Sequence, residues 1–215
     1  MNQISIYVEG GGDTAQQKVE LRNGLDALLN AQKQAARGKH LGWKLVPSGG
    51  RGQAYQAFRN EIDNADDDSL IILLVDAEEA VAAETGNDAA DAAARVQHLI
   101  GRDGWVLNAV ESSRVHLMVQ CMEAWIVADP EALANYYGRD FHANQLPVRA
   151  NLEDEPKLSV YDKLSGATRD TSKGKYAKIK HASKLLALIA PAKVSGRCPR
   201  FKTFTAWLTR QIEAA

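Results

Sequence analysis

Short apolar runs and longer stretches with apolar residues at helical spacing alternate along the first half of the chain. Ile4-Ser5-Ile6-Tyr7-Val8 alternates, is rich in β-forming residues, and stops at Gly10-Gly11-Gly12, where the backbone is free to turn sharply. Leu21, Leu25, Leu28 and Leu29 then share one face of a helix that begins near Asp13 or Thr14. Trp43-Lys44-Leu45-Val46 reads as a strand, and the stretch carrying Tyr55, Phe58 and Ile62 as a helix. Ser69-Leu70-Ile71-Ile72-Leu73-Leu74-Val75 is continuously apolar, as a parallel strand covered on both faces should be, and is expected to be central. Strand, helix, strand, helix, strand in this order predicts a right-handed parallel α/β core.

The second half is patterned differently. Val115-His116-Leu117-Met118-Val119 reads as a further strand, after which Glu123 precedes an apolar helical stretch with Trp125, Ile126 and Val127. Asp129-Pro130 is the pairing expected of a helix N-cap and its first residue. Thr171 to Tyr176 forms a basic turn into a helix with Ile179, Leu185, Leu186 and Ile189, and a closing amphipathic helix after Pro199 carries Phe201, Phe204, Trp207 and Leu208 for core packing. The chain therefore reads as an α/β core over residues 1–120 and a mostly helical, basic C-terminal portion over 121–215 packed on it. Asn144 to Pro156 is the expected loop and candidate hinge.

A length of 215 residues is enough for one good core. Cys121 and Cys198 have neither a CxxC spacing nor companion histidines, which argues against a disulfide framework or a zinc site and for a reducing cytoplasm. No apolar stretch approaches the roughly 18 residues of a membrane span, and the N-terminus lacks the basic and apolar regions of a signal peptide.

The net charge of -1 conceals a division along the chain. From Asn60 to Ala94 there are many acids and no Lys or Arg; from Pro156 to Arg210 a run of lysines and arginines faces only Asp162 and Asp170. An acidic centre that needs cations, joined to a basic tail that needs an anion, is the pattern of a phosphodiester-cutting metal site. Two solvated faces that neutralise each other give the same pattern.

The candidate chemistry lies where the strands end. Glu9 closes the first strand and Asp13 falls in the following helix's first turn, the place where open α/β sheets collect ligands. Asp76 and Glu78 follow the central strand, and alternation puts both on one side if strand geometry persists. A carboxylate directly after seven apolar residues, as Asp76 is, needs a cation or several N–H donors to offset its desolvation. Four such carboxylates make a site for hard divalent ions. Each has another reading: Asp13 as helix cap, Glu78 as part of a solvated loop with Glu79 and Glu84, Glu123 as a helix start favoured by the dipole. Arg51, in Ser48-Gly49-Gly50-Arg51-Gly52, suits a phosphate contact or a tight loop. The five histidines are dispersed, with no HExxH or HxH pair.

Val8-Glu9-Gly10-Gly11-Gly12-Asp13 and Leu74-Val75-Asp76-Ala77-Glu78 resemble the paired motifs of the Toprim domain, the metal-binding fold of topoisomerases, bacterial primases and OLD-type nucleases. With Val119-Gln120-Cys121-Met122-Glu123-Ala124-Trp125 and the tail from Lys173 to Leu208, the whole chain resembles the DUF4276 family, a small bacterial Toprim-like group. Toprim motifs usually carry two aspartates in the second position, where this chain has Glu78. The resemblance implies a Toprim-like parallel sheet flanked by helices, and Mg²⁺ or Mn²⁺ as cofactor. In its two-metal form, with ions about 3.5–4 Å apart, Glu9 and Asp13 would hold one ion, Asp76 and Glu78 the other, and Glu123 would bridge or add a ligand. The catalytic set it implies is Glu9, Asp76 and a later lysine, Lys175 or Lys178 by position, with Lys175 assigned. The resemblance implies hydrolysis of DNA or RNA, in phage defence and with an ATPase partner of the ABC or AAA type; the chain has no Walker A motif, so any ATP dependence would come from that partner. Two rivals are a non-catalytic Toprim-like subunit that binds nucleic acid or an ATPase, and an enzyme acting on small phosphorylated substrates.

Overall fold

The computed structural model describes residues 1–64, 68–108 and 110–215. Its centre is a four-stranded, all-parallel sheet of β1 (Gln3–Val8), β2 (Gly42–Pro47), β3 (Ser69–Asp76) and β4 (Val115–Met118), in the order β2-β1-β3-β4. Strands β1 and β3 are the inner pair, in register from Gln3 opposite Ser69 to Val8 opposite Leu74. The continuous apolar run of β3 is explained by burial on both faces. Leu70, Ile72 and Leu74 enter one hydrophobic cluster, and Ile71, Leu73 and Val75 the other.

The smaller cluster lies under α3 (Arg51–Asn64) and α4 (Asp88–Asp103), which supply Phe58, Val96 and Leu99. The larger one is covered by α1 (Ala15–Leu28) and α2 (Asn30–Gly38) together with the C-terminal helices: α5 (Glu123–Ile126), α6 (Pro130–Tyr137), α7 (Lys157–Thr168), α8 (Lys178–Leu186), α9 (Pro191–Arg197) and α10 (Pro199–Glu213). Ile4, Ile6 and Val8 of the sheet and Trp125, Phe201 and Phe204 of the helical portion belong to that one cluster, so the two portions share a core. This α/β architecture is consistent with the Toprim-like sheet expected from the motifs. Among the described residues no helix is long and apolar enough to cross a membrane, and both cysteines are free and buried.

Local chemistry accounts for the elements that matter to the site. Gly10, Gly11 and Gly12 all have φ in the left-handed region (119°, 92° and 61°), and they carry the chain from β1 into α1. Thr14 is the N-cap, and with Gln17 it forms a reciprocal capping box. The capping alternative for Asp13 is thereby overturned: Asp13 precedes the cap and is exposed. The leucine face is formed as expected, but the helix breaks at Leu29 and resumes as α2.

Midway along α1, Gly24 lies against α8, where an added Cβ would run into the Ser183 carbonyl oxygen, with the carbonyl carbon at 3.1 Å and the Cα at 3.2 Å. Glycine is what allows α8 to lie this close to α1. Asp129 caps α6 as expected, accepting from the Ala132 N–H (3.1 Å), and also accepts from the Ala190 N–H (2.9 Å).

The stretch expected as a hinge, Asn144 to Pro156, is pinned instead. Leu146, Leu152, Glu153 and Glu155 are buried, Arg200 forms an ion pair with Glu153 (3.1 Å), and Arg197 donates to the Pro147 (2.8 Å) and Arg149 (2.7 Å) carbonyls. Of its acids, Glu153 is buried in an ion pair with the buried Arg200, and Glu155 is buried beneath the more exposed Arg149 and Lys163.

Candidate metal centre

Parallel pairing of β1 with β3 brings their carboxyl ends together, so Glu9 and Asp76 emerge side by side. The Glu9 N–H donates to the Leu74 carbonyl (3.2 Å), and the Asp76 N–H donates to Glu9 Oε2 (3.2 Å). Asp76 is on the same face of β3 as Ile72 and Leu74, the face covered by the C-terminal helices, and it is 1% exposed. Its Oδ1 accepts from the Met122 N–H at 2.8 Å, while Lys178 Nζ stands 3.3 Å from Oδ2.

Glu78 reaches the site by a different route from the one expected. Regular strand ends at Asp76, and Glu78 has φ 71°, outside strand geometry. Two further backbone hydrogen bonds, Ala77 N–H to Met118 O (2.9 Å) and Glu78 N–H to Gln120 O (2.7 Å), hold the turn. Glu9, Asp76 and Glu78 can each offer one carboxylate oxygen such that the three lie within 4.8 Å of one another. They are the acidic group, among the described residues, that could hold a cation.

Asp13 is not in that group. It is exposed after the glycine turn, and the carboxylates the structure brings together are Glu9, Asp76 and Glu78 rather than a Glu9–Asp13 pair and an Asp76–Glu78 pair.

Glu123 opens α5 behind the triad and is fully buried. Tyr176 donates its hydroxyl to Glu123 Oε1 (2.9 Å), while Oε2 has no hydrogen-bond partner among the described residues and lies 3.7 Å from Lys178 Nζ. Lys178 therefore bridges Asp76 and Glu123, and it is the lysine at the site. Lys175, the lysine expected at the site, is exposed and makes no hydrogen bond or ion pair among the described residues; the lysine that the structure places at the carboxylates is Lys178 instead. The reason lies in the extended backbone before α8. Tyr176 and Lys178 alternate inward while Lys175 and Ala177 face out, Ala177 having φ -135° and ψ 122°.

Arg51, the other candidate for a phosphate contact, is engaged within the protein. Its guanidinium forms a two-pronged pair with Asp103 (2.9 and 2.6 Å), contacts Glu9 Oε2 at 3.2 Å, donates to the Asp76 carbonyl, and lies over the Trp105 ring. Glu78 is also matched, by Lys157 at 2.5 Å and Arg102 at 3.8 Å. Nothing local in the sequence marks Asp103, Arg102 or Lys157, because each reaches the site from a distant helix. The histidines stand apart from the triad; His98 places Nε2 3.0 Å from the Ala77 carbonyl oxygen.

Burial sets the electrostatics. Desolvation pushes the Asp76 carboxyl up to about 7, against the pull of Lys178 and with the repulsion of Glu123 and Glu9 added. Desolvation also raises Glu9, with Arg51 and Lys178 opposing. Burial works to lower Lys178, but Asp76 and Glu123 outweigh it, so its ammonium is held charged. Carboxylates whose charge burial disfavours in this way gain from a cation placed beside them.

The model of a family described as "Domain of unknown function (DUF4276)" matches residues 8–209. No curated protein and no solved structure matches the chain.

Proposed function

The chain belongs to the DUF4276 family, and for it we propose hydrolysis of phosphodiester bonds in DNA or RNA at a divalent-metal site built from Glu9, Asp76 and Glu78. The observation that carries this reading is the convergence of three oxygen donors within 4.8 Å at the carboxyl ends of β1 and β3, with Lys178 beside them. The donor set fits the expected group: all ligands are hard carboxylate oxygens, which suit Mg²⁺ or Mn²⁺. When bound, such an ion supplies Lewis-acid stabilisation of phosphate oxygens and a more acidic water.

The protein's own residues have distinct tasks in this scheme. Glu9, Asp76 and Glu78 hold the ion. Arg51 orients Glu9 through its bond to Oε2 and is itself fixed by Asp103. Tyr176 positions Glu123, and Glu123 with Asp76 places the Lys178 ammonium where charge develops on the phosphate. Tyr176 is buried, and burial beside Glu123 raises its hydroxyl well above its ordinary value, which makes it a poor nucleophile for a covalent tyrosyl link.

One observation favours a second reading, a Toprim-like subunit that binds nucleic acid or an ATPase without cutting. Lys157 at 2.5 Å and Arg102 at 3.8 Å already neutralise Glu78, so an ion must displace them or share the carboxylate. Calorimetric titration with Mg²⁺ and Mn²⁺, paired with cleavage of plasmid, single-stranded DNA and RNA, separates the two. Metal binding and cleavage both lost in Glu9→Gln and Asp76→Asn support the nuclease. Nucleic-acid binding that needs no metal, with no cleavage of any polymer, supports the subunit.

A further inference from the structure

A cavity of about 250 Å³ opens beside the acidic triad, between the glycine turn after β1 and the first turn of α8. Glu9 and Lys178 belong to both the cavity and the triad's surroundings, so whatever lies at Lys178 is continuous with whatever fills the cavity. Leu21, Met122 and Ala182, all buried, form its apolar wall, and Gln17 and Ser183 add polar groups that could meet the edge of a base. Ile179 forms the lip. It is 49% exposed, unlike the other apolar residues of α8, Ala182, Leu185 and Leu186, all of which are buried.

Charge and volume restrict the occupant. Glu9 and Asp13 line the cavity against the single cation Lys178, which turns phosphate away from the interior and toward Lys178. The remaining space suits an uncharged, largely apolar group. Its volume is below the roughly 300–1,000 Å³ of pockets that enclose drug-sized ligands, which leaves room for one base and excludes a base pair.

Building on the phosphodiester reading of the acidic site, we propose that this cavity receives the base of an unpaired nucleotide next to the phosphate at Lys178. The substrate is then single-stranded or frayed nucleic acid. A base held in a duplex would have to be extruded first, at the cost of its stacking and pairing. Ile179 covers one face of the base on entry, which gives its exposed side chain a partner.

The test is binding, measured by fluorescence anisotropy in a buffer with Ca²⁺, of a short fluorescein-labelled single strand and of the same sequence as a blunt duplex. The single strand is expected to bind at least about tenfold more tightly, in line with the contribution of one held base. Ile179→Glu, a substitution at a half-exposed position, removes this preference, and Ile179→Met retains it. Equal binding of the two forms, or a preference that survives Ile179→Glu, overturns the proposal. So does competition by thymidine 5′-monophosphate at concentrations similar to the strand's, which would assign the cavity to a free nucleotide. Because the readout is binding, a single-strand preference without cleavage in Mg²⁺ or Mn²⁺ leaves the base cavity standing while the nuclease reading falls.

Discussion

Gly24→Ala tests the packing that brings Lys178 to the carboxylates. In an unobstructed helix interior this change stabilises by roughly 0.8–1 kcal/mol through helix propensity. At Gly24 the new methyl meets the Ser183 main chain, which cannot rotate aside as a side chain would. Overpacking of this kind costs about 1–3 kcal/mol, so the propensity gain is cancelled and the net expectation is a destabilisation of up to about 2 kcal/mol. Gly101, in α4, is the control: an added Cβ there has no heavy atom within 4 Å, and Gly101→Ala should stabilise by about 0.5–1 kcal/mol. Urea denaturation of the three proteins reads both signs directly. The displaced helix carries Lys178, so Gly24→Ala should also weaken cleavage although it touches no site residue. If both substitutions stabilise the fold, α1 and α8 are not packed backbone against backbone at Gly24 and Ser183 as described, and the account of how Lys178 is placed fails with it.

Other consequences can be checked alongside. Lys178→Ala should lower cleavage by at least about a hundredfold, the range for a group aimed at developing charge, while Lys175→Ala, which removes an exposed charge without a partner, should leave it within about twofold; equal effects on turnover would undo the choice between them. Divalent-metal affinity should climb as pH rises through about 7, because below that value Asp76 holds a proton that an ion must displace; calorimetry showing no change across this range would remove Asp76 from the ligand set. Glu153→Ala leaves the buried Arg200 with only the more distant Glu84 carboxylate (4.0 Å) and should destabilise by about 3 kcal/mol, the low end for a broken buried pair, which a urea midpoint close to that of the wild type would contradict.

Much of the fold was legible because it follows from local pattern. The alternation of Ile4 to Val8 and the unbroken run from Leu70 to Val75 identify strands, and Asp76 stands out because a carboxylate at the mouth of a buried strand requires a partner. Asp129-Pro130 marks a helix start by chemistry confined to two residues. What was hidden depends on contacts between distant segments. Thr14 rather than Asp13 caps α1 because the three glycines set the angle of entry, and either residue is a good cap in isolation. Lys178 rather than Lys175 faces inward because Tyr176 is anchored on Glu123, more than fifty residues earlier in the chain. Glu153 and Glu155 look like surface acids until Arg200, Lys163 and Arg149 are brought to them. The exposure of Ile179 contradicts its place in an amphipathic pattern, and it is the contradiction that directs attention to the cavity at its side.

The shared core has a consequence for how the protein comes into being. Glu9 and Asp76 are synthesised early, whereas Lys178 follows Asp76 by 102 residues and lies in a helix whose apolar face is part of the same cluster as β1 and β3. Until that helix docks, Asp76 has no ammonium beside it and the face of the sheet that α1 covers is only partly closed. Closing the hydrophobic core and assembling the charged centre are therefore a single event late in synthesis, and a nascent chain that stops at the last strand holds the acids of the site without the means to use them.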